Sequence, residues 1–355
     1  MIASHCFKRE WIDAKRSELG GGDPTLIEKT IHAFALLGHL ARRRVPMVFK
    51  GGTSLMLRLP AIKRLSIDID ILCPLPDHEL DIILREIATE PPFVRHEEDD
   101  RGHHRMPARR HFKFYYAPTD TTTLNPHVLL DVVKENQLHP NVDEVLISSP
   151  LFEVSEEVRV VVPIVENLLG DKLTAFAPDT VGIPCTTESA MQIMKQLFDI
   201  EVLFDASTDF KKVAPAYDAI FRAENNYRGG SLTAVEGLSD TIETARLLCH
   251  FNLKGSAQND RQALLERGRQ ALASHLIGES FSQARAKIAA SKAAFLASCL
   301  RDGNSATIAA RVPFDITQAA GLRDVLLPDI ILHKLRGGNP EAFYYWALAL
   351  EQLRF

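Results

Sequence analysis

Two aspartates one residue apart, Asp68 and Asp70 in Ser66-Ile67-Asp68-Ile69-Asp70-Ile71-Leu72, have the types and the spacing to do chemistry. The alternation of polar and apolar residues predicts a strand, on which both carboxylates face one way while Ile67, Ile69 and Ile71 face the other. Like charges so close push one group toward protonation unless a divalent cation keeps both ionised. Mg²⁺, or Mn²⁺ in its place, suits such a set, because hard cations take a few carboxylates and complete their shell with substrate phosphates. The ordinary alternative is a pair of aspartates on the solvated side of an edge strand.

A second element narrows the choice. Gly51-Gly52-Thr53-Ser54 follows the short apolar run Met47-Val48-Phe49 and precedes a helix expected around Ser54 to Arg58. Glycines there let backbone N–H groups approach a phosphate, although a plain strand-to-helix turn has the same composition. Two metals about 4 Å apart would need a third carboxylate. Asp131 supplies it within Val128 to Val133, an otherwise apolar strand where a lone acid is costly without a cation or partner; the rival reading is a strand-end cap. Ser66 shares the face of the two aspartates and Arg64 lies two residues before it. Each either meets a ligand or shapes the turn after Pro60.

These residues need a scaffold, and the flanking pattern provides one. Asp23-Pro24 after three glycines predicts a helix start, continued by Ile27, Ile31, Phe34, Leu37 and Leu40 as far as Arg42-Arg43-Arg44. His78 to Thr89 has helical periodicity, and Phe112, Phe114 and Tyr116 alternate as a half-exposed strand. Val128 to Val133 and Val158 to Val162 are further strands. From about Val165 helical stretches follow one another, ending in a helix after Asn339-Pro340. The expected division is therefore 1–164, with strands, and 165–355, helical.

The 355 residues are 46% apolar and carry a formal charge of −5, so bulk charge will not coat a polyanion and only a local patch can. Arg101, Arg105, Arg109, Arg110 and Lys113, interleaved with His103, His104, His111 and aromatic residues, form such a patch or else a solvated hairpin. The two adjacent histidines lack partners at zinc spacing. Five scattered cysteines without a C-x-x-C pair suggest a reducing compartment. No segment reaches the roughly 18 to 20 apolar residues of a membrane span and the N-terminus lacks a signal-like run, so a cytoplasmic protein with no membrane partner is expected.

Lys50-Gly51-Gly52-Thr53-Ser54-Leu55, then Arg64-x-Ser66-x-Asp68-x-Asp70, then Asp131, resemble the abortive-infection toxin nucleotidyltransferases of the AbiEii/AbiGii type. The likeness continues in Glu166-Asn167-Leu168-Leu169-Gly170-Asp171-Lys172-Leu173 and in Lys195-Gln196-Leu197-Phe198-Asp199, where Gln196 replaces a common acid; it spans roughly residues 47 to 205. The interval from Gly52 to Asp68 exceeds that of the minimal nucleotidyltransferase signature and agrees with the toxin branch.

The resemblance implies an α/β (α+β) fold of the DNA-polymerase-β-like nucleotidyltransferase kind, a mixed sheet flanked by helices with a helical domain after it. It also implies a nucleoside triphosphate substrate, an acceptor hydroxyl such as a tRNA 3′ end, and a cognate antitoxin. Carried over, Asp68, Asp70 and Asp131 bind metal, and Asp131 also serves as general base. Lys50, Gly51, Gly52, Thr53, Ser54, Arg64 and Ser66 hold the nucleotide. Lys172 contacts a phosphate and Asp199 orients Lys172 or the nucleotide, against the plainer readings of a surface lysine, a helix-interface ion pair and a local salt bridge from Lys195 to Asp199 at i,i+4. Two other functions stay open: a GTP-type nucleotide-binding toxin that acts through partner contact, and nucleotidylation of a protein side chain.

Overall fold

The structure, a computed structural model, describes residues 1–99, 107–120, 122–304, 308, 314–317 and 325–352. The chain forms two compact units, one made of Met1–Ile164 with Ser274–Glu279 and the other of Val165–Ala273 with Ser280–Phe355.

In the first unit, helices α1 (Arg9–Glu18) and α2 (Pro24–Arg42) precede β1 (Val48–Lys50), α3 (Gly51–Arg58), β2 (Asp68–Leu72) and α4 (Asp77–Ile87). Then come β3 (Phe93–Glu98), β4 (Arg109–Tyr116), β5 (His127–Val133), β6 (Val142–Leu146) and β7 (Arg159–Pro163). The main sheet is five-stranded and mixed, in the order β1-β2-β5-β4-β3, with only β2 and β5 parallel, while β6 and β7 form a separate antiparallel ribbon. Asp23 caps α2 by accepting from Thr25 N at 2.8 Å, with Pro24 at the first helical position. The core lies between α2 and one face of the sheet, where Phe34, Ile69, Ile71, Leu130 and Val132 are fully buried.

Two boundaries near the site and two strands differ from expectation. Helix α3 begins at Gly51 rather than near Ser54, because Gly51 takes φ of +77° and turns the chain straight out of β1. β2 begins at Asp68, so Ser66 precedes the strand. Strands β3 and β6 have no counterpart in the sequence reading. In β3 only Phe93 is buried and Val94 is 63% exposed, so an apolar alternation is absent and the strand is held by its pairing with β4.

The second unit contains α5 (Val165–Ala175), α6 (Ala190–Ala206), α7 (Val213–Tyr227), α8 (Ala234–His250), α9 (Asp260–Leu272) and α10 (Gln283–Arg301). Two single turns, Ile330–His333 and Leu335–Gly338, lead to α11 (Pro340–Gln352). Capping boxes start α8 and α9, from Thr233 with Glu236 and from Asn259 with Gln262. Among the described residues no helix is long and apolar enough to cross a membrane.

Candidate active site

The sheet register assembles one row of polar residues. Lys50 pairs with Asp70 across β1 and β2, Asp70 with Asp131 across β2 and β5, and Asp131 with His111 across β5 and β4. Paired positions on neighbouring strands project to the same face, and Asp68, two residues before Asp70, shares it. The opposite face carries Ile69, Ile71, Leu130 and Val132, each fully buried and each worth about 1.5–3 kcal/mol of burial. Slipping β2 by one residue would put acids in the core in place of isoleucines, and slipping β5 would put Asp131 there in place of Leu130 or Val132. The apolar half of the pattern thus fixes where the carboxylates stand.

Acids placed opposite each other destabilise a sheet unless something meets their charge. His111 Nδ1 donates to Asp131 Oδ1 at 2.6 Å, with side-chain exposures of 18% and 28%. Lys29, on α2, senses Asp68: burial holds its amine below the ordinary lysine range, and the charge of Asp68 pulls the other way. Neither Lys29 nor His111 was singled out for such a role by the sequence. His111 alternates with Phe112 and Phe114 and so belongs to the polar face of β4, a signal that needs the β4–β5 register to be read. Lys29 carries no such signal.

The glycine turn packs directly on this row. A Cβ on Gly51 would lie 2.1 Å from Asp70 Oδ2 and 2.9 Å from its Cγ, so the carboxylate rests against a bare Cα. A Cβ on Gly52 would meet Arg64 Nη2 at 2.5 Å and Ser66 Oγ at 3.0 Å, which brings those two residues to the same turn although both lie outside β2. Thr53 Oγ1 donates to Asp68 O at 2.6 Å and Ser54 Oγ to Gly51 O at 2.7 Å, and both side chains are fully buried. Their hydroxyls are spent on the backbone. What Gly51, Gly52 and Thr53 offer an anion is the set of N–H groups that the first turn of α3 leaves without intrahelical acceptors.

The donors fit a divalent cation by type. They are carboxylate oxygens on one face beside a phosphate-compatible turn, but among the described residues no group of three or more His, Cys, Asp or Glu, the three aspartates included, is gathered closely enough to hold a metal ion by itself. Mg²⁺ is usually bound by one or two carboxylates and completes its shell with substrate phosphates and water.

Lys172 and Asp199 lie together in the second unit, on α5 and α6, as an ion pair of 3.4 Å with side-chain exposures of 7% and 1%. Lys172 is therefore a buried lysine, not a surface one. Of the basic stretch, Arg101, His103, His104 and Arg105 lie outside the described residues. Arg110 is held by Glu98 and Asp81 and Lys113 by Asp99, each at 2.7–2.8 Å, so these two cations form part of a charge-paired strand.

The family "Nucleotidyl transferase AbiEii toxin, Type IV TA system" matches residues 35–295, most of the chain. The chain belongs to this family. It is accordingly a nucleotidyltransferase of a toxin–antitoxin family, with the nucleoside triphosphate substrate and divalent metal that go with that activity. Solved structures similar to this AbiEii member include one from H. pylori described as a nucleotidyltransferase, at 15% identity and TM-score 0.40, covering 79% of this chain and 96% of that one. Another is MenT4, nucleotidyltransferase toxin Rv2826c from Mycobacterium tuberculosis H37Rv, at 13% identity and TM-score 0.39, covering 72% and 87%. No curated protein matches.

Proposed function

We propose that this AbiEii nucleotidyltransferase transfers a nucleoside monophosphate to a hydroxyl at an RNA end, the tRNA 3′ end being the favoured acceptor, and that Asp68, Asp70 and Asp131 hold Mg²⁺ or Mn²⁺. The observation that carries the reading is the register of Asp70 against Asp131 beside a glycine turn pressed on the Asp70 carboxylate. Bound cations supply charge neutralisation on the triphosphate and on the departing pyrophosphate. The protein's own groups do the rest. Asp131, oriented by His111, takes the proton of the acceptor hydroxyl as general base. The acceptor oxygen bonds to the α-phosphorus, the bond from that phosphorus to the α–β bridging oxygen breaks, and pyrophosphate leaves. Donors of the α3 turn, with Arg64, Ser66 and Lys50, bind the phosphates. Lys172, oriented by Asp199, is assigned counter-charge for the leaving group. In the cell the enzyme would act in the cytoplasm as the toxin held in check by an antitoxin, in defence against phage.

The test is transfer of label from α-labelled nucleoside triphosphates to total tRNA in Mg²⁺. Asp70→Asn should lower the rate by at least about a hundredfold while circular dichroism and melting stay near wild type. Full labelling by that variant overturns the assignment. Label on protein bands instead of RNA selects protein nucleotidylation, and a thermal shift with GTP without pyrophosphate release selects the binding-only toxin.

A further inference from the structure

We infer that the helical unit carries a second, separate anion site: a phosphate-binding cavity between the first turn of α10 and the start of α11, with Lys287 as its buried cation. It lies entirely within the second unit and does not depend on the reading of the Asp68–Asp70 site.

The cavity has a volume of about 160 Å³, several times what a single water needs. Lys287, Lys334, Asn339, Gln283, Ala284 and Leu253 line it, and no acidic residue does so among the described residues. Lys287 is only 7% exposed. The other buried lysines of this unit are matched by carboxylates: Lys292 by Asp205 at 2.8 Å and Glu341 at 3.3 Å, and Lys172 by Asp199 at 3.4 Å. Among the described residues Lys287 Nζ has no acceptor and no carboxylate partner. A buried ammonium without one is costly, and burial alone lowers its proton affinity. The ionisable neighbour is Cys249, whose thiol is pushed up to about 12 by burial and stays neutral, so it supplies no counter-charge.

The surrounding backbone favours the same sign. Gln283 and Ala284 are the first two residues of α10, and Asn339 begins α11, where its Oδ1 accepts from Ala342 N at 3.3 Å and its carbonyl from Phe343 N at 3.0 Å. Asn339 Nδ2 donates to Ala284 O at 2.8 Å and ties the two helix starts together. Two N-termini therefore meet at one hollow, each with a positive dipole end. Pro340 has no N–H, Ala342 and Phe343 give theirs to Asn339, and Arg285 and Ala286 give theirs to Ser282, so the donors turned to the hollow are those at the very start of α10. At the rim, exposed Lys334 adds a second cation, steadied by the carbonyl of Lys254. Two ammonium groups, two positive helix ends and, among the described residues, an absence of acids in the lining describe a receptor for a phosphoryl group, either free phosphate or the 5′-phosphate of a nucleotide.

The experiment titrates full-length protein in phosphate-free buffer with orthophosphate, with AMP and with adenosine, by calorimetry and by melting. Orthophosphate or AMP should bind and raise the melting temperature, and adenosine should not; a stronger response to AMP than to orthophosphate identifies the nucleotide as the source. Lys287→Met should weaken binding at least about tenfold and Lys334→Met by a smaller factor. Because Lys287 has no partner to lose, Lys287→Met should melt no lower than wild type without phosphate. Wild-type affinity for phosphate in both variants, or no phosphate binding by wild type, overturns the site. So does a melting temperature of unliganded Lys287→Met well below wild type, which would reveal a structural partner.

Discussion

Replacing Gly51 by alanine tests the contact on which the active-site geometry turns. Gly51 sits at φ of +77°, where an L side chain costs about 1–2 kcal/mol. The added methyl would also arrive 2.1 Å from Asp70 Oδ2, 2.9 Å from Cγ and 3.1 Å from Cβ. Rotating the carboxylate relieves the first of these contacts but not the last, because Asp70 Cβ is fixed by β2 and its buried isoleucines. Either α3 or β2 must shift, adding about 1 kcal/mol of packing strain. Displacing a reacting group by about 1 Å costs on the order of 10²-fold in rate. Gly51→Ala should therefore lose about 2–3 kcal/mol in urea unfolding and about a hundredfold in kcat for transfer of label to tRNA. Gly52→Ala is the matched control. Its φ is not positive, and the atoms it meets are side-chain ends, Arg64 Nη2 at 2.5 Å and Ser66 Oγ at 3.0 Å, in place of a Cβ fixed by a strand. It should lose less than about 1 kcal/mol. A Gly51→Ala protein with wild-type unfolding and a wild-type rate would refute the argument.

Lys172→Met removes the cation 3.4 Å from the buried Asp199 carboxylate and should destabilise the fold by at most about 3–5 kcal/mol, part of it recovered in Lys172→Met/Asp199→Leu; if that double variant also regains transfer activity, Lys172 has no phosphate role. Burial holds His32 down to about 4, so folding stability that is complete above pH 6.5 drains away toward pH 4, by on the order of 3 kcal/mol. Glu201 acts in the opposite sense: burial pushes its carboxyl up to about 7 against the pull of Arg285, so stability present below pH 4.5 is lost as pH rises through 7. In urea unfolding from pH 4.5 to 6.5, Glu201→Gln should make stability climb more steeply with pH than wild type, and identical slopes would refute the shift.

What could be read from residues alone follows the strength of the local signal. The helix from Pro24 was legible because cap, proline and apolar spacing agree, and the alternation around Asp68 and Asp70 was legible because isoleucines fill every second position. β3 was not, since Phe-Val-Arg-His-Glu-Glu buries one side chain. Its stability comes from across the ladder, where Arg95 lies 3.4 Å over the Tyr115 ring and Glu98 meets Arg110. The carboxylates of the candidate site could be named from spacing, but what each one faces is a property of register. His111 beside Asp131 and Lys29 near Asp68 are neighbours only after β4, β5 and α2 have come together. Thr53 and Ser54 show the converse: hydroxyls suited to a phosphate are consumed in stapling the turn.

The first unit is not one uninterrupted stretch of chain. Leu65 N donates to His275 O at 2.7 Å, Ile277 N donates to Lys63 O at 3.1 Å, and Lys63 pairs with Glu279. These bonds brace the backbone on both sides of Arg64 from a segment made some two hundred residues later. A fragment ending at residue 164 would carry Asp68, Asp70 and Asp131 yet lack this brace, leaving the Arg64 loop free to wander. Anyone trimming the protein to the first unit alone must therefore graft residues 274–279 back on. During synthesis the same dependence delays a finished arginine loop until the ribosome has passed residue 279.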